Sequence, residues 1–150
     1  MPRVVRQAAV AWEGSLSRGT GTATATSSGT FVDLPITLAS RLEVQQGKTS
    51  PEELLAAAHA NCFITSLAGE LGRVGTPPER IAVRCTITMD EIQGGNHRIV
   101  ASAIDATAWV PGADEELVVR IGRVADEGCP FSALIRASAD VSVAVRLGEE

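Results

Sequence analysis

The sequence lacks the features that direct a protein to nucleic acid or to a membrane. Its 13 Lys and Arg residues are scattered and outnumbered by 18 Asp and Glu residues, giving a net charge of -5, so nucleic acid and anionic membrane surfaces are not expected partners. No segment reaches the roughly 18 uninterrupted apolar residues of a membrane span, and the N-terminal stretch has no signal-peptide core. We therefore expect a soluble, cytoplasmic protein.

Cysteine is also scarce, with only Cys62, Cys85 and Cys129. An odd number of widely spaced cysteines does not make a disulfide framework, so each is expected to be a core residue, a ligand or a reagent in a reducing compartment. No Cys-x-x-Cys or His-x-x-x-His pair is present. Zinc binding by His59 and Cys62, on one helix face, with Cys129 or Cys85 is the weaker alternative, and no metal or organic cofactor is predicted.

The pattern of apolar residues predicts a single domain over residues 1–150 of the α+β class. Alternation in "TGTATAT" indicates a three-stranded meander in the first third, followed by a polar loop, "SRLEVQQGKT". After a long helix, two strand-like runs flank "QGGNH", whose paired glycines predict a hairpin. A helix from Pro111 to Gly128, a short helix "PFSALIRA" and a last strand complete the order βββαββααβ.

The long helix has a clear start signal. Ser50 is a capping residue, Pro51 suits the first helical position, and Glu53 completes a Ser-x-x-Glu capping box. From Leu54 to about Leu71 the sequence is apolar almost all round, which predicts a central helix covered on several sides.

Two cysteines lie at positions where thiol chemistry is conceivable. Cys129 precedes Pro130 at the start of the short helix, where unpaired backbone N–H groups favour a thiolate; the alternative is a small residue beside the helix cap, after Gly128. Cys62 lies within the apolar helix and is either a core residue or a reagent. Burial alone raises the pKa of a thiol and leaves it inert, so a reactive Cys62 requires a cation nearby. Arg41 is the predicted cation, held by Glu52 or Glu53; the alternative is a solvated loop before a capped helix.

These segments resemble a known family. "TSPEELLAAAHANCF" and "GCPFSALIRASADVSVAV" resemble the two cysteine motifs of the OsmC/Ohr family of thiol-dependent hydroperoxide reductases, and "AWEGSLSRGTG" is similar to the OsmC branch. The resemblance runs from about residue 10 to residue 147. It implies an OsmC-like fold, in which antiparallel sheets pack around the central helix, and an intertwined homodimer with sites at the subunit interface.

The resemblance also implies roles for individual residues. Cys62 matches the peroxidatic cysteine and Cys129 the resolving cysteine, with a Cys62–Cys129 disulfide as the oxidised product. Arg41 and Glu52 match the pair that activates the first thiol, although the Ohr branch draws its arginine from the N-terminal hairpin, where this chain offers Arg18.

The implied function is the reduction of organic hydroperoxides to alcohols, through a sulfenic acid, with an external dithiol as reductant, in oxidative-stress defence. Phe63 and Phe131 are either walls of the substrate pocket or core residues. Asn61 departs from the small apolar residue usual before the first cysteine, and Cys85 matches no catalytic position. A non-catalytic or ligand-binding member of the same fold is the alternative.

Overall fold

The computed structural model describes residues 2–43 and 45–149. Its contacts divide the chain into two compact units, residues 1–54 and 55–150, which are described separately. The single domain, the homodimer and the cytoplasmic location predicted from the sequence stay predictions.

The first unit contains the predicted meander. An antiparallel sheet of order β1-β2-β3 is formed by β1 (Ala9–Glu13), β2 (Thr20–Thr24) and β3 (Leu34–Ile36). Gly21 allows the strands to pack closely, because a Cβ there would lie 2.7 Å from the Trp12 ring and 2.8 Å from the Ile36 side chain. The three-stranded meander is confirmed.

A short helix, α1 (Leu38–Leu42), lies where the segment "SRLEVQQGKT" was predicted to be a loop from Ser40 onward. The prediction is wrong at Ser40, Arg41 and Leu42. A reciprocal cap explains the helix: the Ser40 N–H donates to Thr37 Oγ1 at 3.1 Å, and the Thr37 N–H donates to Ser40 Oγ at 3.0 Å. The usual Glu or Gln at the third helical position is replaced by serine, so the signal was not recognised.

Helix α2 (Pro51–Arg73) starts as predicted and extends to Arg73. Ser50 Oγ accepts the Glu53 N–H at 3.2 Å, while the Glu53 carboxylate accepts the Thr49 hydroxyl at 2.8 Å. Its fully buried side chains recur every fourth residue, as His59, Phe63, Leu67 and Leu71.

Helix α2 is long and apolar enough to span a membrane by length and composition, with a hydropathy of 1.2 over its most apolar window. The core helix of a soluble protein meets the same criterion. Phe63, Leu67 and Leu71 have no exposed surface and belong to the hydrophobic core of the second unit, although only 22% of that window is buried.

The second unit continues with β4 (Arg80–Ile92), β5 (Asn96–Trp109), α3 (Glu115–Gly128), α4 (Pro130–Arg136) and β6 (Asp140–Leu147). Strands β4 and β5 form the predicted hairpin, with Gly94 (φ 84°) and Gly95 (φ 74°) in its turn. The α+β class and the predicted order are confirmed, with α1 as one additional helix.

Two details of the second unit differ from prediction. Strand β6 pairs with β5 in parallel, whereas only antiparallel pairing was expected. Helices α3 and α4 form the crossover that such a pair needs. Helix α3 begins at Glu115 and not at Pro111, because the Asp114 carboxylate caps it by accepting the Leu117 N–H at 2.8 Å.

Gly122 sets the distance between α3 and the sheet. It is buried, and a Cβ at this position would lie 2.6 Å from Cγ2 and 3.0 Å from Cβ of Val145 in β6. An added methyl group therefore requires backbone movement, because the Val145 Cβ is fixed to the strand.

We predict that Gly122→Ala lowers the free energy of unfolding by about 1–3 kcal/mol relative to Gly69→Ala, through overpacking. Gly69 is the matched control, since it also lies inside a helix and an added Cβ there meets no atom within 4 Å beyond the adjoining residues of its own helix. Urea unfolding of both variants measures the difference. Equal free energies of unfolding would show that α3 can move away from β6 without cost.

Candidate active site

Cys62 and Cys129 lie side by side in the second unit. Cys62 is in the middle of α2 and Cys129 is the N-cap of α4, and their sulfurs are 3.3 Å apart. Both are free thiols; Cys62 is partly buried and Cys129 is 1% exposed. A disulfide has a sulfur–sulfur bond of about 2.05 Å, so a small approach of the two sulfurs would allow a bond.

One residue of α3, Asp126, makes two contacts with α4 and its N-cap. The Cys129 N–H donates to the Asp126 carbonyl at 3.1 Å, and Pro130 follows at the first helical position. At the other end of α4, Arg136 forms an ion pair with the Asp126 carboxylate at 2.7 Å. Asp126 therefore contacts both ends of the short helix.

The surroundings of Cys62 within this unit favour the neutral thiol. Burial raises the pKa of Cys62, the backbone N–H of Phe131 opposes this by donating to its sulfur, and the neighbouring Cys129 thiol raises the pKa further. The backbone N–H groups in the first turn of α4 were predicted to favour a thiolate at Cys129. One of them, that of Phe131, instead donates to the sulfur of Cys62. Activation of Cys62 needs a cation in addition to these groups.

His59 is fully buried one helical turn before Cys62 and is bonded through both ring nitrogens. Its Nδ1 lies 2.7 Å from Ser102 Oγ in β5, and its Nε2 lies 2.8 Å from Ser132 Oγ in α4. Each hydroxyl can donate or accept, so both nitrogens of the neutral ring are satisfied in either tautomer. His59 thus joins α2 to a strand and to the helix that carries Cys129.

The charge state of His59 follows from its burial. Burial lowers the pKa of His59 most strongly, the nearby Asp126 raises it, and Arg136 lowers it. The bonds to two serines also leave no ring nitrogen for a metal, which argues against the zinc alternative. Among residues 2–43 and 45–149, no three His, Cys, Asp or Glu side chains form a group that could hold a metal ion.

Cys85 lies in β4 as the predicted strand residue. Its sulfur is 3.3 Å from Ser102 Oγ and 3.8 Å from His59 Nδ1. Burial raises the pKa of Cys85, and the bond to Ser102 opposes this. Cys85 therefore contacts the histidine cluster and is a protonated thiol near neutral pH.

Arg41 and Glu52 form an ion pair in the first unit. Arg41 Nε and Nη2 lie 2.9 Å and 2.8 Å from the same carboxylate oxygen, Oε1. The Glu52 side chain is 15% exposed, and its Oε2 is buried with no hydrogen-bond partner among the described residues. The carboxylate paired with Arg41 is therefore that of Glu52, while Glu53 is bonded to Thr49.

The remaining predicted residues have separate positions. Phe63 is a core residue with no exposed surface, and Phe131 is partly buried against that core. Asn61 is exposed, and its carbonyl accepts the Thr65 hydroxyl at 3.2 Å. Arg18 is exposed in the segment that links β1 to β2. The roles predicted for the site residues stay predictions.

Two site residues, Ser102 and Ser132, were missed by the sequence reasoning. Both are fully buried. Ser132 is the serine of the second cysteine motif, so a signal was present without an assigned contact. Ser102 occupies an inward position of β5 between apolar residues, where a polar side chain needs a partner.

A family model described as OsmC-like protein matches residues 44–144, and the chain belongs to this family. The chain is 36% identical over 126 residues to the peroxiredoxin OsmC of Escherichia coli (strain K12), a match that covers 84% of this chain and 86% of the relative. The peroxiredoxin OsmC of Shigella flexneri matches to the same extent. The family predicted from the two cysteine motifs is confirmed.

Solved structures share the fold. An organic hydroperoxide resistance protein OsmC from Legionella pneumophila has a TM-score of 0.71 at 21% identity, covering 96% of this chain and 99% of that chain. The organic hydroperoxide resistance protein OhrB of Bacillus subtilis has a TM-score of 0.69 at 22% identity, covering 93% and 98%. The OsmC-like fold is therefore shown.

We predict that the protein loses stability as the pH falls below about 6.5, the ordinary pKa of histidine. The unfolded chain binds a proton there, whereas folded His59 binds it only at lower pH, so acid favours the unfolded state. Urea unfolding between pH 7.5 and 5.5 should show a smaller pH dependence for His59→Gln than for the wild type. The exposed His97 is common to both proteins. An unchanged slope would contradict a neutral buried His59.

Proposed function

We propose that the protein is a thiol-dependent peroxidase that reduces organic hydroperoxides through Cys62 and Cys129. The separation of 3.3 Å between the two sulfurs carries the proposal, because it fits a peroxidatic and a resolving thiol. The relatives named peroxiredoxin OsmC, at 36% identity over most of the chain, support the same activity.

In the first step, the Cys62 thiolate attacks the distal oxygen of the hydroperoxide. The oxygen–oxygen bond breaks, the leaving alkoxide takes up a proton and departs as an alcohol, and the sulfur is oxidised by two electrons to a sulfenic acid. The Phe131 N–H, which donates to the Cys62 sulfur, helps to stabilise the negative charge before the attack.

In the second step, the Cys129 sulfur attacks the sulfur of the Cys62 sulfenic acid. A sulfur–sulfur bond forms, the sulfur–oxygen bond breaks, and hydroxide leaves as water with the proton of Cys129. An external dithiol then reduces the disulfide by exchange and is itself oxidised to a disulfide, which returns two thiols. No metal or organic cofactor takes part in these steps.

Arg41 supplies the cation that activates Cys62. The groups that set the pKa of Cys62 in its own unit leave it raised, so a thiolate needs a positive charge from outside that set. Arg41 stays charged on desolvation, and Glu52 orients its planar fork. The same guanidinium stabilises charge on the departing oxygen.

The apolar character of α2 supports both the substrate class and a homodimer. Its fully buried side chains form one stripe, from His59 to Leu71, although the helix is apolar almost all round. Apolar positions outside this stripe are available to bind an alkyl or aryl tail and to pack against a second copy of the chain. Oxidative-stress defence in the cytoplasm is the corresponding cellular role.

We predict that the purified protein consumes dithiothreitol when supplied with tert-butyl hydroperoxide, and that Cys62→Ser reduces the rate to the uncatalysed level. Cys85→Ser is the matched control and should keep the rate within about twofold, because Cys85 has no role in either step. The assay follows peroxide loss, and peptide mass identifies the oxidised product. A wild type no faster than Cys62→Ser, or a disulfide that contains Cys85, would contradict the mechanism.

We predict that Arg41→Gln lowers kcat/KM for tert-butyl hydroperoxide by about a hundredfold, the typical effect of removing one charge-stabilising group. The pH profile of Cys62 alkylation should move to higher pH in the same variant. Arg18→Gln tests the alternative arginine and should change neither measurement by more than about twofold. A large loss of kcat/KM in Arg18→Gln with little change in Arg41→Gln would assign activation to Arg18.

A further inference from the structure

Among the described residues of the second unit, His59 is the only fully buried side chain that is basic or acidic. Both of its ring nitrogens contact other elements. The peroxidase steps do not use it, and its ring nitrogens are already bonded, so it is not placed to transfer a proton to peroxide. Its contacts instead connect the helix of one reactive cysteine with the helix of the other.

Two contacts join α2 to the start of α4, the His59–Ser132 hydrogen bond and the Cys62–Cys129 thiol pair, and they are three residues apart on each segment. His59 lies three residues before Cys62 on α2, and Ser132 lies three residues after Cys129 at the start of α4. The His59 Nε2 to Ser132 Oγ distance is 2.8 Å, and the Cys62 to Cys129 sulfur distance is 3.3 Å. Residues three apart on a helix lie on one face, so the hydrogen bond and the thiol pair are neighbouring contacts of the same helix pair.

The other side of the imidazole is anchored. His59 Nδ1 is 2.7 Å from Ser102 Oγ in β5, the middle strand of the sheet formed by β4, β5 and β6. Ser102 and Ser132 have no exposed surface, so water does not compete for these bonds in the folded unit. A bond of this kind is directional, whereas apolar contacts alone would permit α4 to slide.

We infer that His59 is a positioning residue for disulfide formation, which holds the first turn of α4 through Ser132 so that Cys129 stays beside Cys62. The inference rests on the proposed peroxidase function for its biological use. In the redox step itself, the two thiols lose two electrons and two protons to oxidised dithiothreitol, which becomes the reduced dithiol. That equilibrium measures the positioning of Cys129 without any peroxide.

The two serines provide matched variants, because each substitution removes one hydrogen bond from the same imidazole. Ser132→Ala should lower the equilibrium constant for forming the Cys62–Cys129 disulfide by about tenfold, near the upper end of what one neutral hydrogen bond supplies. Ser102→Ala should lower it by less than about threefold. Redox titration in dithiothreitol buffers, with peptide mass to identify the disulfide, measures both. Equal shifts, or no shift in Ser132→Ala, would overturn the inference.

A second pair of variants separates positioning from general stability. His59→Gln places an amide near the position of Nε2 and should keep the disulfide equilibrium close to that of the wild type, whereas His59→Asn places it near Nδ1 and should behave like Ser132→Ala. Urea unfolding of all variants controls for stability. The His59 pair gives the same contrast if Ser132→Ala fails to fold, and a Gln variant no better than Asn would overturn the inference.

The proposed function is tested separately in the same proteins. After tert-butyl hydroperoxide is added, a trap for sulfenic acid should label Cys62 more in Ser132→Ala than in Ser102→Ala, because resolution is slower. If Cys129→Ser forms no trapped sulfenic acid, the peroxidase proposal fails, while the dithiothreitol equilibrium still decides the role of His59.

Discussion

The contact between the middle of α2 and the first turn of α4 is the constraint on which the second unit depends. Cys62 and Cys129 are 67 residues apart in sequence, so local preferences cannot bring their sulfurs to 3.3 Å. The parallel pairing of β5 with β6 makes the approach possible, because the crossover it requires contains α3 and α4. Gly122 then allows α3 to lie close to Val145, and α3 leads directly to Cys129.

Arg41 and Cys62 each have an electrostatic environment that is set within their own unit. In the second unit, burial raises the pKa of Cys62 and the Phe131 N–H opposes it, so the resting side chain is a neutral thiol. In the first unit, Arg41 already has its carboxylate partner, Glu52. A guanidinium that brings its own counter-ion is less costly to place in an apolar site than an isolated cation. Under the proposed mechanism, the thiol becomes reactive only when the guanidinium offsets the effect of burial on its pKa.

Sequence reasoning succeeds where the cause of a structure lies within a few residues. Ser50 and Pro51 mark the start of α2, and the glycine pair marks the hairpin, because caps and turns have local chemistry. The parallel direction of β6 escapes it, since alternation is the same for either direction of an edge strand. The thiol pair follows from resemblance to a family and not from spacing, and Ser102 could be assigned no partner because His59 lies 43 residues away.

The histidine cluster shows why a polar group is useful in this core. An apolar residue at position 59 would avoid the desolvation that lowers the pKa of His59, and it would need no hydrogen-bond partner. It would not, however, define the distance between α2, α4 and β5, because apolar contacts tolerate sliding that hydrogen bonds of 2.7 Å and 2.8 Å do not. Under the proposed mechanism, two thiols that stay adjacent but unbonded until one is oxidised need that fixed geometry. In the proposed positioning role, the neutral imidazole exchanges some stability for a fixed geometry beside the two thiols.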